Sequence, residues 1–213
     1  MNWCAQGKCS AVRDQKSCAA GYAFAAAKSI EYPNNIIGRS SGKWLSPQEL
    51  IDCSANFGDQ ACDGGYPSYG MKYSMQYGLN FDANYPYAGF QQSCKGTSGL
   101  FKPSNIFNIN KDINSFVEIA KKTPFSVGLD ASTFKNYRSG IFYGAGCRSN
   151  TVTHFMTVIG FGTTTGNESY WRLENSWGTT WGQNGYMFLG ANNQGNQNVC
   201  GILNVGVAIL LTP

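Results

Sequence analysis

Gln15-Lys16-Ser17-Cys18-Ala19-Ala20-Gly21-Tyr22-Ala23-Phe24 leads from a polar turn, through a cysteine, into an alanine-rich run that continues to Glu31. Alanine is the best helix former, and Tyr22, Phe24 and Ile30 add apolar bulk, so residues 21–31 read as a buried helix that opens at Gly21. The first N–H groups of a helix have no partner within it and favour negative charge, so a thiol held at position 21 would have its pKa lowered. Glycine brings no side chain to that place.

Working outward, the first half stays helical. Ser46-Pro47-Gln48-Glu49 is a capping box with proline at the first helical position, opening a helix through Cys53. Pro67–Tyr77 reads as a third helix. Residues 79–109, rich in Asn, Gly and Pro, read as loop. Ser115–Lys122 fits one more helix, capped by Asn114 or Asp112 and followed by Pro124. Strand-like runs come next: Phe125–Leu129, His154–Phe161, Tyr170–Glu174, Gly185–Leu189 and Val205–Leu211, most of them separated by glycine-rich turns. A helical first half and a stranded second half predict an α+β chain with two lobes.

Composition narrows the classes. The chain has 213 residues, 42% apolar and 13% charged, enough for one large domain or two small ones sharing a cleft. The net charge of +4 is scattered, with Lys121-Lys122 the densest cluster, so no basic stripe points to nucleic acid. The longest apolar stretch, Val205–Leu211, falls well short of the roughly 20 residues a membrane span needs. Eight cysteines beside a single histidine favour disulfides and an oxidising compartment over a zinc site. They allow about 105 complete pairings, and spacing alone does not choose among them. Nothing calls for a cofactor or a metal. Met1-Asn2-Trp3-Cys4 lacks the basic start and apolar run of a signal peptide, which reads as a processed mature domain. Asn167-Glu168-Ser169 is a glycosylation sequon inside a polar turn.

Six segments, in order, resemble the papain-like cysteine peptidases. Asn2-Trp3 is similar to the family's Asp-Trp start, and the opening Gln15–Phe24 stretch to its Q-G-S-C-G-S-C-W-A-F. Leu45-Ser-Pro-Gln-Glu-Leu-Ile-Asp-Cys53 resembles L-S-E-Q-E-L-V-D-C, and Cys62-Asp-Gly-Gly-Tyr-Pro67 fits C-x-G-G-Y-P. Tyr85-Pro-Tyr87 matches a further signature. Asn175-Ser-Trp-Gly-Thr-Thr-Trp-Gly-Gln-Asn-Gly-Tyr186 fits N-S-W-G-x-x-W-G-x-x-G-Y at every specified position. The family pattern also places a histidine and an asparagine about 130–150 residues beyond its cysteine. Here His154 and Asn175 fill those places.

The resemblance implies a papain-like two-lobed fold over residues 1–213. It comprises a helical left lobe near 7–109 and a β-barrel-like right lobe near 110–208, with a cleft between them. It implies that Gly21 stands in the nucleophile position, with His154 as base, Asn175 as its orienter and Gln15 as the oxyanion-hole amide. Trp177 would shield the Asn–His bond, and Gly65 would offer backbone hydrogen bonds to an extended peptide. Tyr66, Pro67, Gly128, Thr153, Phe155 and Val205 would surround the main side-chain pocket, which Phe155 narrows. Three disulfides carry over, Cys18–Cys62, Cys53–Cys94 and Cys147–Cys200, leaving Cys4 and Cys9 for a local bridge.

Departures cluster round the lost nucleophile: Lys16 and Ala19 replace glycines and Tyr22 replaces tryptophan. Glycine cannot attack a carbonyl. The leading reading is therefore a secreted, lysosomal or vacuolar monomer that binds a peptide, a protein or its own removed propeptide without cleaving it. The cleft residues Gln15, Gly65 and Trp177 are then expected to face solvent, with extra space over Gly21. Two alternatives stand beside it: an active endopeptidase whose cysteine was changed deliberately, and a storage or structural protein on the same scaffold.

Overall fold

The computed structural model describes residues 1–40, 42–96, 98–192 and 194–211. The alanine-rich run forms helix α1, Gly21–Ile36, buried along nearly its whole length. It continues five residues past the expected end at 31, through Pro33. Proline forfeits one intrahelical hydrogen bond, but Ile30 and Tyr32 beside it are wholly buried, and their packing holds the last turns helical.

Helix α2, Pro47–Cys53, is capped by Ser46, whose hydroxyl accepts the Glu49 N–H at 3.0 Å. The reciprocal half of the box is absent. The Ser46 N–H goes instead to the Asn80 carbonyl, and the Glu49 carboxylate takes the Asn80 N–H at 2.8 Å. That exchange fastens α2 to the chain entering residues 79–81. Helix α3 spans Pro67–Tyr77, with proline at its first position. Helix α4, Ile113–Lys122, starts two residues before the expected Ser115, because Asp112 is its cap and accepts the Ser115 N–H at 2.8 Å.

Seven strands follow the order β1-β7-β2-β4-β5-β6-β3 in one sheet. They are β1 (Asn105–Asn108), β2 (Phe125–Leu129), β3 (Ile141–Phe142), β4 (His154–Thr163), β5 (Ser169–Glu174), β6 (Tyr186–Gly190) and β7 (Val205–Leu210). The barrel-like lobe expected from the resemblance is thus an open sheet, antiparallel except where β3 joins β6. Strand β1 lies inside the stretch read as loop. It is short, with asparagine at both ends, and register with β7 defines it rather than any pattern of its own.

Two apolar clusters form. One gathers Phe116, Phe125, Trp171, Leu173 and Met187 between α4 and the sheet. The other gathers the α1 alanines with Leu50, Ile51, Met71 and Leu79, and also takes Phe155, Val207 and Ile209 from the sheet. Helix α1 therefore packs directly on β4, and its N-terminus meets the first residues of that strand. Four disulfides, Cys4–Cys9, Cys18–Cys62, Cys53–Cys94 and Cys147–Cys200, use all eight cysteines.

Candidate functional site

Strand β4 opens on His154 and β5 ends just before Asn175, so their antiparallel pairing, Thr157 opposite Glu174, brings the two side chains together. His154 Nε2 lies 2.8 Å from Asn175 Oδ1. The Ser176 N–H donates to the same oxygen at 2.8 Å, which identifies it as the amide's acceptor. Nε2 must then carry the ring proton, leaving Nδ1 as a bare acceptor. The Trp177 indole lies over the imidazole with centroids 4.9 Å apart and is braced by Trp181. Burial pushes the His154 pKa down to about 4, against a smaller upward pull from the Asn175 hydrogen bond. The ring is neutral at pH 7. Asn175 Nδ2 finds no acceptor among the described residues, and Asn175 borders a cavity of about 10 Å³ shared with Lys28 and Glu174, room for about one water.

Nδ1 faces Gly21, the first residue of α1. A Cβ built on Gly21 would stand 2.4 Å from His154 Cε1 and 2.6 Å from Nδ1. The expected extra space over Gly21 is therefore not there: the imidazole fills it. The cap residue Ala20 offers no side-chain oxygen, and the N–H groups of Gly21 and Tyr22 meet no acceptor among the described residues.

Gln15 departs from expectation too. It is 7% exposed rather than solvent-facing. Its Nε2 donates to the Cys18 carbonyl at 2.8 Å, and its Oε1 accepts the Ser176 hydroxyl at 2.6 Å. One amide hydrogen remains uncommitted. Trp177 and Gly65 are partly exposed.

On the helical side, the N–H and C=O of Gly65 take part in no hydrogen bond among the described residues. Beneath it lies Asp59, whose carboxylate accepts the Tyr66 N–H at 2.9 Å and the Ser54 hydroxyl at 2.6 Å. A Cβ at position 65 would come 2.1 Å from Asp59 Oδ1, so only glycine fits there. Burial pushes the Asp59 pKa up to about 6, more than those hydrogen bonds lower it.

The expected side-chain pocket is crowded at its Gly128 floor. A Cβ on Gly128 would meet Phe155 Cε1 at 2.9 Å, Val152 Cγ1 at 3.0 Å and Val205 Cβ at 3.2 Å. Phe155 is buried and sits edge-on to the exposed Tyr66, centroids 5.3 Å apart. Pro67 is buried at the head of α3. The Thr153 hydroxyl accepts the Ala131 N–H and lies 3.3 Å from the Asp130 carboxylate.

Three participants were not anticipated. Ser176 joins Gln15 to Asn175; its place beside Asn175 was the available signal. Asp59 sits between glycine and glutamine in a polar stretch that gives none. Lys28 lies 3.5 Å from Glu31 and 3.4 Å from Glu174 behind the site. Its burial was signalled by its place in an otherwise apolar helix. Cys4, Cys9 and Glu174 come within ligand distance of one another, but both sulfurs are spent in a disulfide. Asn167 is exposed in the β4–β5 turn. No helix among the described residues is long and apolar enough to cross a membrane.

Against known proteins, the family described as papain family cysteine protease matches residues 1–210. A cysteine proteinase of Brassica napus is 35% identical over 212 residues, covering 95% of this chain and 62% of the relative. Cathepsin L2 of Homo sapiens is 32% identical over 219 residues, with 95% and 62% covered. This chain thus spans under two thirds of the length of those relatives. Among solved structures, digestive procathepsin L 3 of Tenebrio molitor superposes with a TM-score of 0.90 at 30% identity, covering 99% of this chain and 69% of that one. Bromelain protease from Ananas comosus, in complex with an inhibitor, gives 0.91 at 28% identity, covering 100% and 98%. With its mixed α and β architecture, its His–Asn pair and these matches, the chain belongs to the papain family of cysteine proteases.

Proposed function

We propose that this chain is a papain-family pseudopeptidase, holding an extended peptide in the cleft without cutting it. The observation that carries this is the imidazole lodged over Gly21: the nucleophile position has no side chain, and the base has closed the gap. A neutral histidine with no thiol to deprotonate has no covalent step to perform. The remaining cleft still offers an extended strand the free backbone groups of Gly65 and the unpaired N–H groups of Gly21 and Tyr22. Gln15 keeps one amide hydrogen for the same carbonyl. With Phe155 and Val205 over Gly128, the preferred peptide carries a small apolar residue there, and the chain's own prosegment is a candidate occupant. Four disulfides support a secreted, lysosomal or vacuolar setting, where Asn167 would be open to glycosylation. The division into a helical lobe and a sheet lobe near residue 109 belongs to the same reading.

The crowded pocket favours a second reading, a storage or structural protein that binds nothing in its cleft. Calorimetry with extended peptides bearing Ala, Val or Leu at the pocket position separates the two, provided the recovered peptide is weighed. Binding with intact recovery supports the pseudopeptidase. No binding to any of the three moves the assignment to the structural protein, and cleavage refutes both. The remaining alternative, a deliberately altered active enzyme, requires Gly21→Cys to restore ordinary turnover.

A further inference from the structure

The four disulfides divide by what they close. Cys18–Cys62, Cys53–Cys94 and Cys147–Cys200 join residues 44, 41 and 53 apart and fasten distant parts of the chain, whereas Cys4 and Cys9 are five apart. The short bond closes a single turn. In it the Gly7 N–H donates to the Cys4 carbonyl at 3.0 Å, and the N–H groups of Gln6 and Lys8 donate to the Trp3 carbonyl at 3.1 and 3.2 Å. None of residues 4–9 is buried. Among the described residues, the turn's one hydrogen bond to the chain beyond residue 10 is from Asn35 Nδ2 to the Lys8 carbonyl, at 3.1 Å. Its two flanks are buried and fixed. The Trp3 indole donates to the Ala120 carbonyl at 2.9 Å, and Ser10 is hydrogen-bonded to Lys28 and Glu31. Opening the Cys4–Cys9 bond therefore frees one partly exposed turn and leaves both anchors in place, a local motion of low cost.

Beside this turn stands a carboxyl group. Cys4 Sγ, Cys9 Sγ and a Glu174 carboxylate oxygen all lie within 4.8 Å of one another, and no other disulfide among the described residues shares a carboxyl in this way. Glu174 is faced by Lys28 at 3.4 Å, by the Tyr32 hydroxyl and, further off, by Glu31 and Tyr186. Burial holds its carboxyl above the ordinary range, so it keeps a proton more readily than an exposed glutamate. The other bonds are placed differently. Cys18 and Cys200 are each 2% exposed. Cys94 is exposed, but the neighbour of Cys53 Sγ is the Tyr85 hydroxyl, at 3.9 Å. Cys4 also lines a hollow of about 140 Å³ beside β5 and β6, and Cys9 does not. An incoming thiol thus has room at Cys4. A sulfur that leaves as its partner is attacked departs faster when a proton is at hand.

We propose that Cys4–Cys9 is a thiol–disulfide exchange site reduced by a small dithiol, with Glu174 supplying the proton to the departing sulfur, while the three long-range bonds are structural. It is independent of the cleft reading. The first thiol of the dithiol attacks Cys4 Sγ from the hollow, its proton passing to solvent. A mixed disulfide forms on Cys4 as the Cys4–Cys9 bond breaks; Cys9 leaves with the electron pair and takes the Glu174 proton, which solvent then replaces. The second thiol displaces Cys4 from the mixed disulfide, and its own proton ends on Cys4. Two electrons have moved: the dithiol is oxidised to a disulfide, and Cys4 and Cys9 are reduced to thiols.

The probe is dithiothreitol, added to the whole native chain, with samples alkylated at intervals and the labelled cysteines located by mass spectrometry of an unreduced digest. Cys4 and Cys9 should be labelled together, about tenfold sooner than any other cysteine, while the far-ultraviolet circular dichroism stays native. With glutathione, which has one thiol, the mixed disulfide should be trapped on Cys4 and not on Cys9. Glu174→Gln should slow the exchange several-fold, whereas a merely structural loss at Glu174 would loosen the turn and speed it. Should that variant fail to fold, the order of labelling and the glutathione adduct on the native chain decide the matter. Four outcomes overturn the proposal. They are earlier labelling of Cys53 and Cys94, release of all four bonds together with loss of the native spectrum, an adduct on Cys9, and exchange in folded Glu174→Gln at the native rate or faster.

Discussion

The two walls of the cleft have been kept to different standards. On the sheet wall, His154, Asn175, Ser176 and Trp177 form a closed chain of contacts, and of the left-handed positions in the turn beyond them 178, 182 and 185 are glycine and only Asn184, at φ 55, is not. On the helix wall, position 21 has no side chain, and Lys16 and Ala61 are held at φ 54 and 51 without being glycine. The difference teaches which parts of the site have a second job. Asn175 and Trp177 join β5 to the turn beyond it and support the Trp181 packing, so they hold the sheet together whether or not chemistry happens. A thiol at the head of α1 supports nothing else.

The largest test of that contrast is activity. We expect peptide hydrolysis by the native chain to lie no more than about 10³- to 10⁴-fold above the uncatalysed rate, the residue left when a protease loses its nucleophile. Gly21→Cys should remain far below an active family member, because its Cβ needs the volume the imidazole holds. The same variant should lose about 1–3 kcal/mol in urea unfolding from overpacking. Full turnover of a fluorogenic peptide by Gly21→Cys would show that the sheet wall yields easily, and would break the comparison.

Behind both walls, Lys28 stands between Glu31 and Glu174 in a buried cluster. Lys28→Met should cost about 3–5 kcal/mol near neutral pH, because it strands two carboxylates. The cost should shrink in acid as Glu174, whose carboxyl burial already holds above its ordinary range, takes up a proton. Chemical denaturation at pH 7 and pH 4 checks both halves. A loss that does not depend on pH would mean that packing of the lysine stem, not its charge, matters.

How much of this was legible in the chain follows the same division. Alanine density fixed α1, and Pro67 and Gly78 bracket α3, because these signals are local. The cap at Asp112 could not be separated from Asn114 by type alone; the backbone bend decided it. Strands β1 and β3 escaped because four and two residues carry no period, and their neighbours define them. At the site, the positions of His154 and Asn175 were readable through the family pattern. The collapse of the ring onto Gly21, the inward turn of Gln15 and the burial of Asp59 were not. Each depends on what packs against the residue from another element.

The walls also titrate in opposite senses. An unfolded histidine binds its proton below about 6.5, whereas native His154 does so only below about 4. Stability therefore falls as pH drops through that window, by about 3 kcal/mol in all. Asp59 acts the other way. Its native carboxyl is protonated below about 6, against 3.8 as the ordinary value. Falling pH thus favours the fold by about 3 kcal/mol. The native chain should show a nearly flat contribution from this pair between pH 6 and 4. His154→Gln should become more stable over that range and Asp59→Asn less stable. Parallel urea titrations at four pH values separate them, and two variants moving in the same direction would refute the opposition.

The smallest effect concerns Lys16. Its φ of 54 lies in the left-handed region, where a side chain costs about 1–2 kcal/mol. Lys16 is exposed, and its N–H is held by Asp14 Oδ1 at 2.8 Å, a bond glycine would keep. Glycine also has more unfolded freedom to lose, which takes back about 0.5–1 kcal/mol. Lys16→Gly should therefore stabilise the chain by roughly 0.5–1 kcal/mol, read as a higher urea midpoint at unchanged slope. If the helix wall has lost its demand for geometry, that gain should come with no change in peptide affinity. A gain in stability that weakens peptide binding would instead give Lys16 a role in the cleft, with its strain retained for contact with the ligand.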